Sequence, residues 1–155
     1  MLQEKDEVRK ETRTSMLAAP SCFACGPDNP HGLHLVFQKN ESGEMTAGWI
    51  PAPEMEGYRG IVHGGIVSTV LDEAMAQVVD ASGAHALTAE LRVRFRQQVS
   101  SGSSVLVRGW IQSRNKRMIN TEAALTGADG VELAHAWAVF LALKPERSPI
   151  AEEVL

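Results

Sequence analysis

The sequence predicts an α+β domain in which an antiparallel sheet of about five to six strands wraps one long helix. Three observations lead there. Between Gly64 and Ala81 the apolar residues Val67, Val70, Leu71, Ala74 and Val78 recur at helical spacing and so share one stripe. Beyond Gly83 the chain alternates apolar with polar residues, the period of strands with one buried face. Breaks rich in Gly, Pro, Asn and Asp separate the runs at intervals that suit hairpins.

In chain order, residues 1–18 are polar and lack Gly and Pro, and Pro20 interrupts them; residues 1–20 are expected to be a solvated helix or frayed tail. Pro27, Asp28, Asn29, Pro30 and Gly32 supply turn chemistry, after which LHLVF (33–37) predicts a strand and residues 45–50 a second short one. PAPEMEGYRG (51–60) holds too many breakers for regular structure. The helix follows, with Gly83 as its stop. Leu91, Val93 and Phe95 then alternate with Glu90, Arg92, Arg94 and Arg96, and Val105, Val107 and Gly109 with Leu106, Arg108 and Trp110, which predicts two long strands. SRNKR (113–117) is expected to turn, 119–125 to form a strand, Ala128-Asp129-Gly130 a tight hairpin turn, and 132–143 a last strand before Pro145. The domain is thus expected over 21–145, with 146–155 as a tail. One helix cannot cover such a sheet, so its edges call for homo-oligomerisation.

The totals narrow the function classes. A chain of 155 residues suits one hydrophobic core, and 44% hydrophobic with 22% charged residues is ordinary for a globular protein. A net charge of -4 without a long basic run excludes nucleic acid as the main partner. The sequence shows neither an apolar run long enough for a membrane span nor an apolar N-terminus of the signal type, so a cytoplasmic location is expected, with Cys22 and Cys25 as thiols.

The chemistry gathers around the helix. GYRGIVHGGIVSTVLDEAMA (57–76) resembles the His-Gly-Gly…Asp signature of PaaI-like hotdog-fold acyl-CoA thioesterases, and LTAELRVRFRQQV (87–99) resembles the strand that follows it there. CFACGPDNPHGLHL (22–35) is similar to the N-terminal segment of some members. The resemblance implies hydrolysis of an acyl-CoA, an acyl tunnel at a dimer interface, a homodimer or dimer of dimers, and no metal or redox cofactor. A non-catalytic acyl-CoA-binding module is the alternative, because the fold alone does not decide chemistry.

The residues support that implication on physical grounds. Gly64 and Gly65 stand where a loop enters a helix, and free N–H groups there favour negative charge. Such donors on a thioester oxyanion are worth roughly 3 to 4 kcal/mol each; the bland reading is that the glycines only cap the helix. Asp72 follows Gly65 by about two turns and shares its side of the helix with Ser68, Met75, Ala76 and Val79, surroundings that raise a carboxylate pKa and make it a better base or nucleophile. Glu73, the reserve, shares a stripe with Thr69, Gln77 and Asp80 and reads as hydrogen-bonded or solvated. His63 is expected either to touch the thioester or, more simply, to fix the loop. The resemblance implies a polar group from the partner subunit at Thr88. It also implies an Asn, in some members, where this chain has Gly57.

Two further sets complete the candidates. Cys22, Cys25, His31 and His34 offer a C-x-x-C and an H-x-x-H suited to zinc, yet a packed turn with buried thiols accounts for them, and no metal is expected. Arg114 and Lys116, ahead of Arg92, Arg94, Arg96 and Arg117, are candidates for the phosphates of CoA.

Overall fold

The computed structural model describes residues 19–144. The expected tails therefore lie almost wholly outside the described residues. Six strands form one antiparallel sheet: β1 (Gln38–Lys39), β2 (Met45–Trp49), β3 (Ala86–Phe95), β4 (Val105–Asn115), β5 (Met118–Gly127) and β6 (Glu132–Ala142). Their spatial order is β1-β2-β4-β5-β6-β3, so β1 and β3 are the two edges. Among the described residues one α-helix, α1 (Gly64–Ala81), crosses the inner face of this sheet and touches every strand from β2 to β6.

Period explains the packing. Val67, Val70, Leu71, Ala74 and Val78 are all buried, as the helical stripe predicts. They meet Met45, Ala47, Val105, Val107, Ile119, Ala123, Leu125, Ala134, Ala136, Ala138 and Phe140, the alternate residues of the inner strands. Truncating a fully buried member such as Leu71 to Ala is expected to cost about 2–5 kcal/mol. Gly109 sets the crossing distance: a Cβ there would lie 2.4 Å from Ala74 O, so only glycine lets the helix backbone rest on β4. Ser82 caps the helix and Gly83, at φ 85°, turns the chain into β3.

Three expectations need correction. Residues 33–37 form no strand, although Leu33, Leu35 and Phe37 are buried and their neighbours exposed as the alternation requires. The Leu33 and Leu35 amides donate to Phe23 O and Ala24 O, and His34 sits at φ 52°, so the segment is a lining rather than a ladder. Residues 51–60 include a short 3₁₀ turn, Pro53–Met55, begun by proline at its first position. The five-residue turn at 113–117 shrinks to Lys116 and Arg117, because β4 runs on to Asn115 and Lys116 takes the left-handed conformation at φ 51°. The Ala128-Asp129-Gly130 turn stands as expected, with Gly130 N–H donating to Gly127 O.

β3 differs from its neighbours. Ten residues long, it pairs with β6 on one side only. Leu87, Leu91 and Phe95 are 61%, 38% and 52% exposed, an apolar edge of a kind that monomers avoid.

Candidate active site

The mouth of α1 is organised by His63. It is the N-cap, and its Nδ1 accepts the Gly65 N–H at 2.9 Å, which locks the first turn. His63 O accepts the amides of Ile66 and Val67, and the His63 N–H is held by Met55 O at 2.8 Å. Of the two glycine amides, Gly65 is therefore occupied, while the Gly64 N–H has no acceptor among the described residues. These bonds supply the loop-fixing role, one of the two readings that the sequence allowed for His63. Gly57 makes room for its ring: a Cβ at 57 would lie 3.2 Å from His63 Cδ2.

Gly64 lines a cleft of about 360 Å³ together with Ile61, Val62, Val67, Phe95, Arg96 and Gln98. The ring of Phe95, at the far end of β3, covers Gly64; a Cβ there would meet Phe95 Cζ at 3.4 Å. Sequence reading missed Phe95 in this role. Its alternation marked a core position, and nothing local in the sequence says that its strand is an edge.

Two turns inward, Asp72 is half-buried and Thr88 Oγ1 donates to its Oδ1 at 2.9 Å. Burial pushes the Asp72 carboxyl above its ordinary value, with repulsion from Glu73 adding and the Thr88 bond opposing. The net rise leaves a carboxylate that holds a proton more readily, which suits a base. The resemblance assigned the group at Thr88 to a partner subunit, whereas here Thr88 bonds Asp72 of its own chain. Gly64 and Asp72 are eight residues apart on the helix, about 12 Å of axial rise.

Glu73 accepts a bond from Gln77 Nε2 at 2.8 Å, in keeping with the hydrogen-bonded face expected for it. Its carboxylate also approaches the thiols of Cys22 and Cys25. Burial first, and Glu73 next, push the Cys25 thiol far up. His31 and His34 do not join them. The His34 ring bonds Asn29 O and the His31 amide bonds the Asn29 side chain.

Arg114 and Lys116 lie at the β4–β5 hairpin, exposed, at the sheet end where β3 begins: Met118 pairs with Leu141, which pairs with Leu87. Of the strand arginines, Arg96 lines the cleft at Gly64, whereas Arg92 and Arg94 are placed elsewhere. Arg92 stacks on Trp137 at 4.6 Å and Arg96 pairs with Glu132 at 2.7 Å. Arg92 and Arg94 lie opposite Trp137 and His135, on the sheet face turned away from α1. His135 sits between Trp110 and Trp137 and bonds Glu122 at 2.9 Å.

Among the described residues no helix is long and apolar enough to cross a membrane. Comparison with known proteins brings the fold and these positions together. The thioesterase superfamily profile matches residues 59–134, the stretch that holds the helix mouth, Asp72 and Thr88. Bovine acyl-coenzyme A thioesterase THEM4 is 24% identical over 134 residues, which are 85% of this chain and 55% of that protein. The chain spans about half the length of the curated relatives it matches. Among solved structures, a thioesterase superfamily protein superposes with a TM-score of 0.76 at 19% identity, covering 90% of this chain and 76% of its own. PaaI from E. coli gives 0.68 at 13%, covering 72% and 81%. A hypothetical thioesterase of Streptococcus pneumoniae TIGR4, solved with coenzyme A, gives 0.66 at 16%, covering 70% and 85%. Variants of that protein have also been solved in which an aspartate and a threonine, sixteen positions apart, are each replaced by alanine. With one helix laid across a six-stranded antiparallel sheet, the described residues share the hotdog fold of these solved thioesterases, and the segment spanning the helix mouth and its acid is similar to the thioesterase superfamily.

Proposed function

We propose that the protein hydrolyses an acyl-CoA thioester to the free acid and CoA. One observation carries the reading: a half-buried carboxylate, raised in pKa and held by Thr88, shares a helix with Gly64, which lines a cleft and whose amide has no acceptor among the described residues. Asp72 takes a proton from water as the water oxygen attacks the carbonyl carbon. The carbonyl oxygen becomes an oxyanion that the Gly64 N–H stabilises, and the tetrahedral state collapses with expulsion of the CoA sulfur, which receives the proton from Asp72. Attack by Asp72 itself, through an anhydride, is the variant of this scheme. Single turnover in heavy-oxygen water separates the two, since only the anhydride route can leave label in Asp72. The aspartate and threonine replaced in the pneumococcal protein have the same separation as Asp72 and Thr88, which supports treating this pair as one unit.

About 12 Å of helix is a long reach for one carbonyl and one water, and the β3 edge offers the remedy. Gly64 packs at Phe95 near the end of β3, and Asp72 bonds Thr88 near its start. A second copy paired antiparallel along β3, with its two-fold axis near Leu91 and Arg92, sets Thr88 of one chain beside Phe95 of the other. Each site then takes the amide of one subunit and the acid of its partner, and the exposed Leu87, Leu91 and Phe95 are covered. A homodimer is thus the working unit, and a dimer of dimers is compatible with it. Arg114 and Lys116, at the Thr88 end, stand near the partner's mouth and are assigned to the CoA phosphates. Free thiols at Cys22 and Cys25 fit a reducing compartment such as the cytoplasm.

The test is thiol release from a panel of acyl-CoA thioesters of varied chain length by the wild type and Asp72→Asn. Release by the wild type alone supports the scheme. Binding of acyl-CoA without release by either protein would make the chain a binding module instead.

A further inference from the structure

The loop bearing Cys22 and Cys25 has no part in the hydrolysis described above. Its own bonds make it rigid. The Gly26 amide donates to Cys22 O at 2.9 Å, Asp28 to Pro20 O at 3.0 Å, and Asn29 Nδ2 to Ser21 O at 3.2 Å. Ala24, between the cysteines, is buried and anchors the turn in the core. Gly26 follows the second cysteine, and a Cβ there would lie 2.3 Å from Cys22 N and 2.5 Å from Pro20 O. Only glycine lets the chain fold back tightly enough to bring the two thiols together.

The third member comes from α1. Cys22 Sγ, Cys25 Sγ and a carboxylate oxygen of Glu73 all lie within 4.8 Å of one another, and all three residues are half-buried rather than sealed. One ion with bonds of about 2.0–2.3 Å to oxygen and sulfur spans a cluster of that size. Gln77, itself buried, donates to Glu73 Oε1 and fixes the carboxylate's orientation while leaving its other oxygen available. Sulfur donors select zinc over magnesium or calcium, and three protein ligands leave a fourth position for water.

We propose that Cys22, Cys25 and Glu73 form a zinc site that clips the N-terminal loop onto α1, with Gln77 as the residue that positions the carboxylate. The ligand set differs from the two-Cys, two-His arrangement that the sequence offers, since neither histidine reaches the thiols. It is independent of the thioesterase reading.

The full chain, reduced and stripped with chelator, is titrated with zinc and separately with cobalt. The expected result is one equivalent per chain, a thiolate-to-cobalt charge-transfer band, and a fall of about tenfold or more in thiol reactivity towards a disulfide reagent on zinc loading. Gln77→Leu weakens binding about 10–100-fold, Glu73→Gln weakens it, and His34→Ala leaves it unchanged. The proposal is overturned by unchanged thiol reactivity at saturating zinc, by uptake that survives Cys22→Ser with Cys25→Ser, or by uptake that His34→Ala abolishes. Thiol protection in the wild type decides the matter even if the serine variant does not fold. No acyl-CoA enters the assay, so failure here leaves hydrolysis untouched.

Discussion

The two stations on α1 are built in opposite ways. At the mouth, His63, Gly64 and Gly65 are exposed, and the donor is a backbone amide fixed by a cap on the next residue. Two turns inward, Asp72 is a side chain, half-buried and tied to a strand hydroxyl. An oxyanion donor has to stay open to the substrate, and backbone geometry holds it without help from burial. A base gains from partial loss of water, so its place is deeper, where its charge costs stability. The helix separates the two requirements, and under the proposed scheme one chain therefore holds two half-sites.

Breaking the inner station has the largest expected effect. Asp72→Asn lowers kcat/KM by about 10²–10⁴-fold. The sign on stability is opposite. A carboxyl whose folded pKa is raised favours the folded state at low pH, and that contribution is lost as pH rises through the folded pKa, so Asp72 is a burden at neutral pH. Thermal unfolding of Asp72→Asn at pH 7 should therefore give a Tm at or above that of the wild type. A clear fall in Tm would mean that the carboxylate is a structural asset instead.

Breaking the mouth comes next. Proline at the first helical position deletes the N–H without disturbing the helix, and His63 at φ -58° and ψ 133° already has the conformation that a following proline requires. Gly64→Pro should lower kcat about 10²–10³-fold at nearly unchanged Tm, whereas Gly64→Ala keeps the amide and should retain far more activity. Thr88→Val sharpens the inner station. Because the Thr88 bond holds the Asp72 pKa down, its loss moves the acid limb of the kcat/KM profile to higher pH, in a pH series read beside the wild type. The smallest effect is expected away from both stations: Arg108→Met on the outer face breaks a 3.3 Å pair with Glu44, costs about 0–1 kcal/mol by denaturant unfolding, and leaves turnover unchanged.

The helix and its buried stripe were legible because period survives in any context. So was the half-buried position of Asp72, whose helical neighbours are local in sequence. Other features depended on partners far along the chain. Leu33, Leu35 and Phe37 announced burial, yet their backbone bonds go to the cysteine loop, and no pattern in five residues says so. Leu91 and Phe95 carried a core-like alternation, but the order of strands, which leaves β3 at the edge, is a property of the whole sheet. The imidazole of His63 was readable as a loop anchor, while its capture of the Gly65 amide depends on a rotamer. Glu73 looked like a face residue, and its approach to Cys22 and Cys25 joins segments about fifty positions apart.

Subunit mixing tests the central claim most directly. Asp72→Asn and Gly64→Pro are each nearly inactive alone, and exchange of their subunits assembles heterodimers in which one site combines an intact amide from the first chain with an intact acid from the second. Random exchange should restore about a quarter of wild-type thiol release. Mixed dimers that form, by mass spectrometry, and yet stay as inactive as their parents would place donor and acid within a single chain and contradict the account.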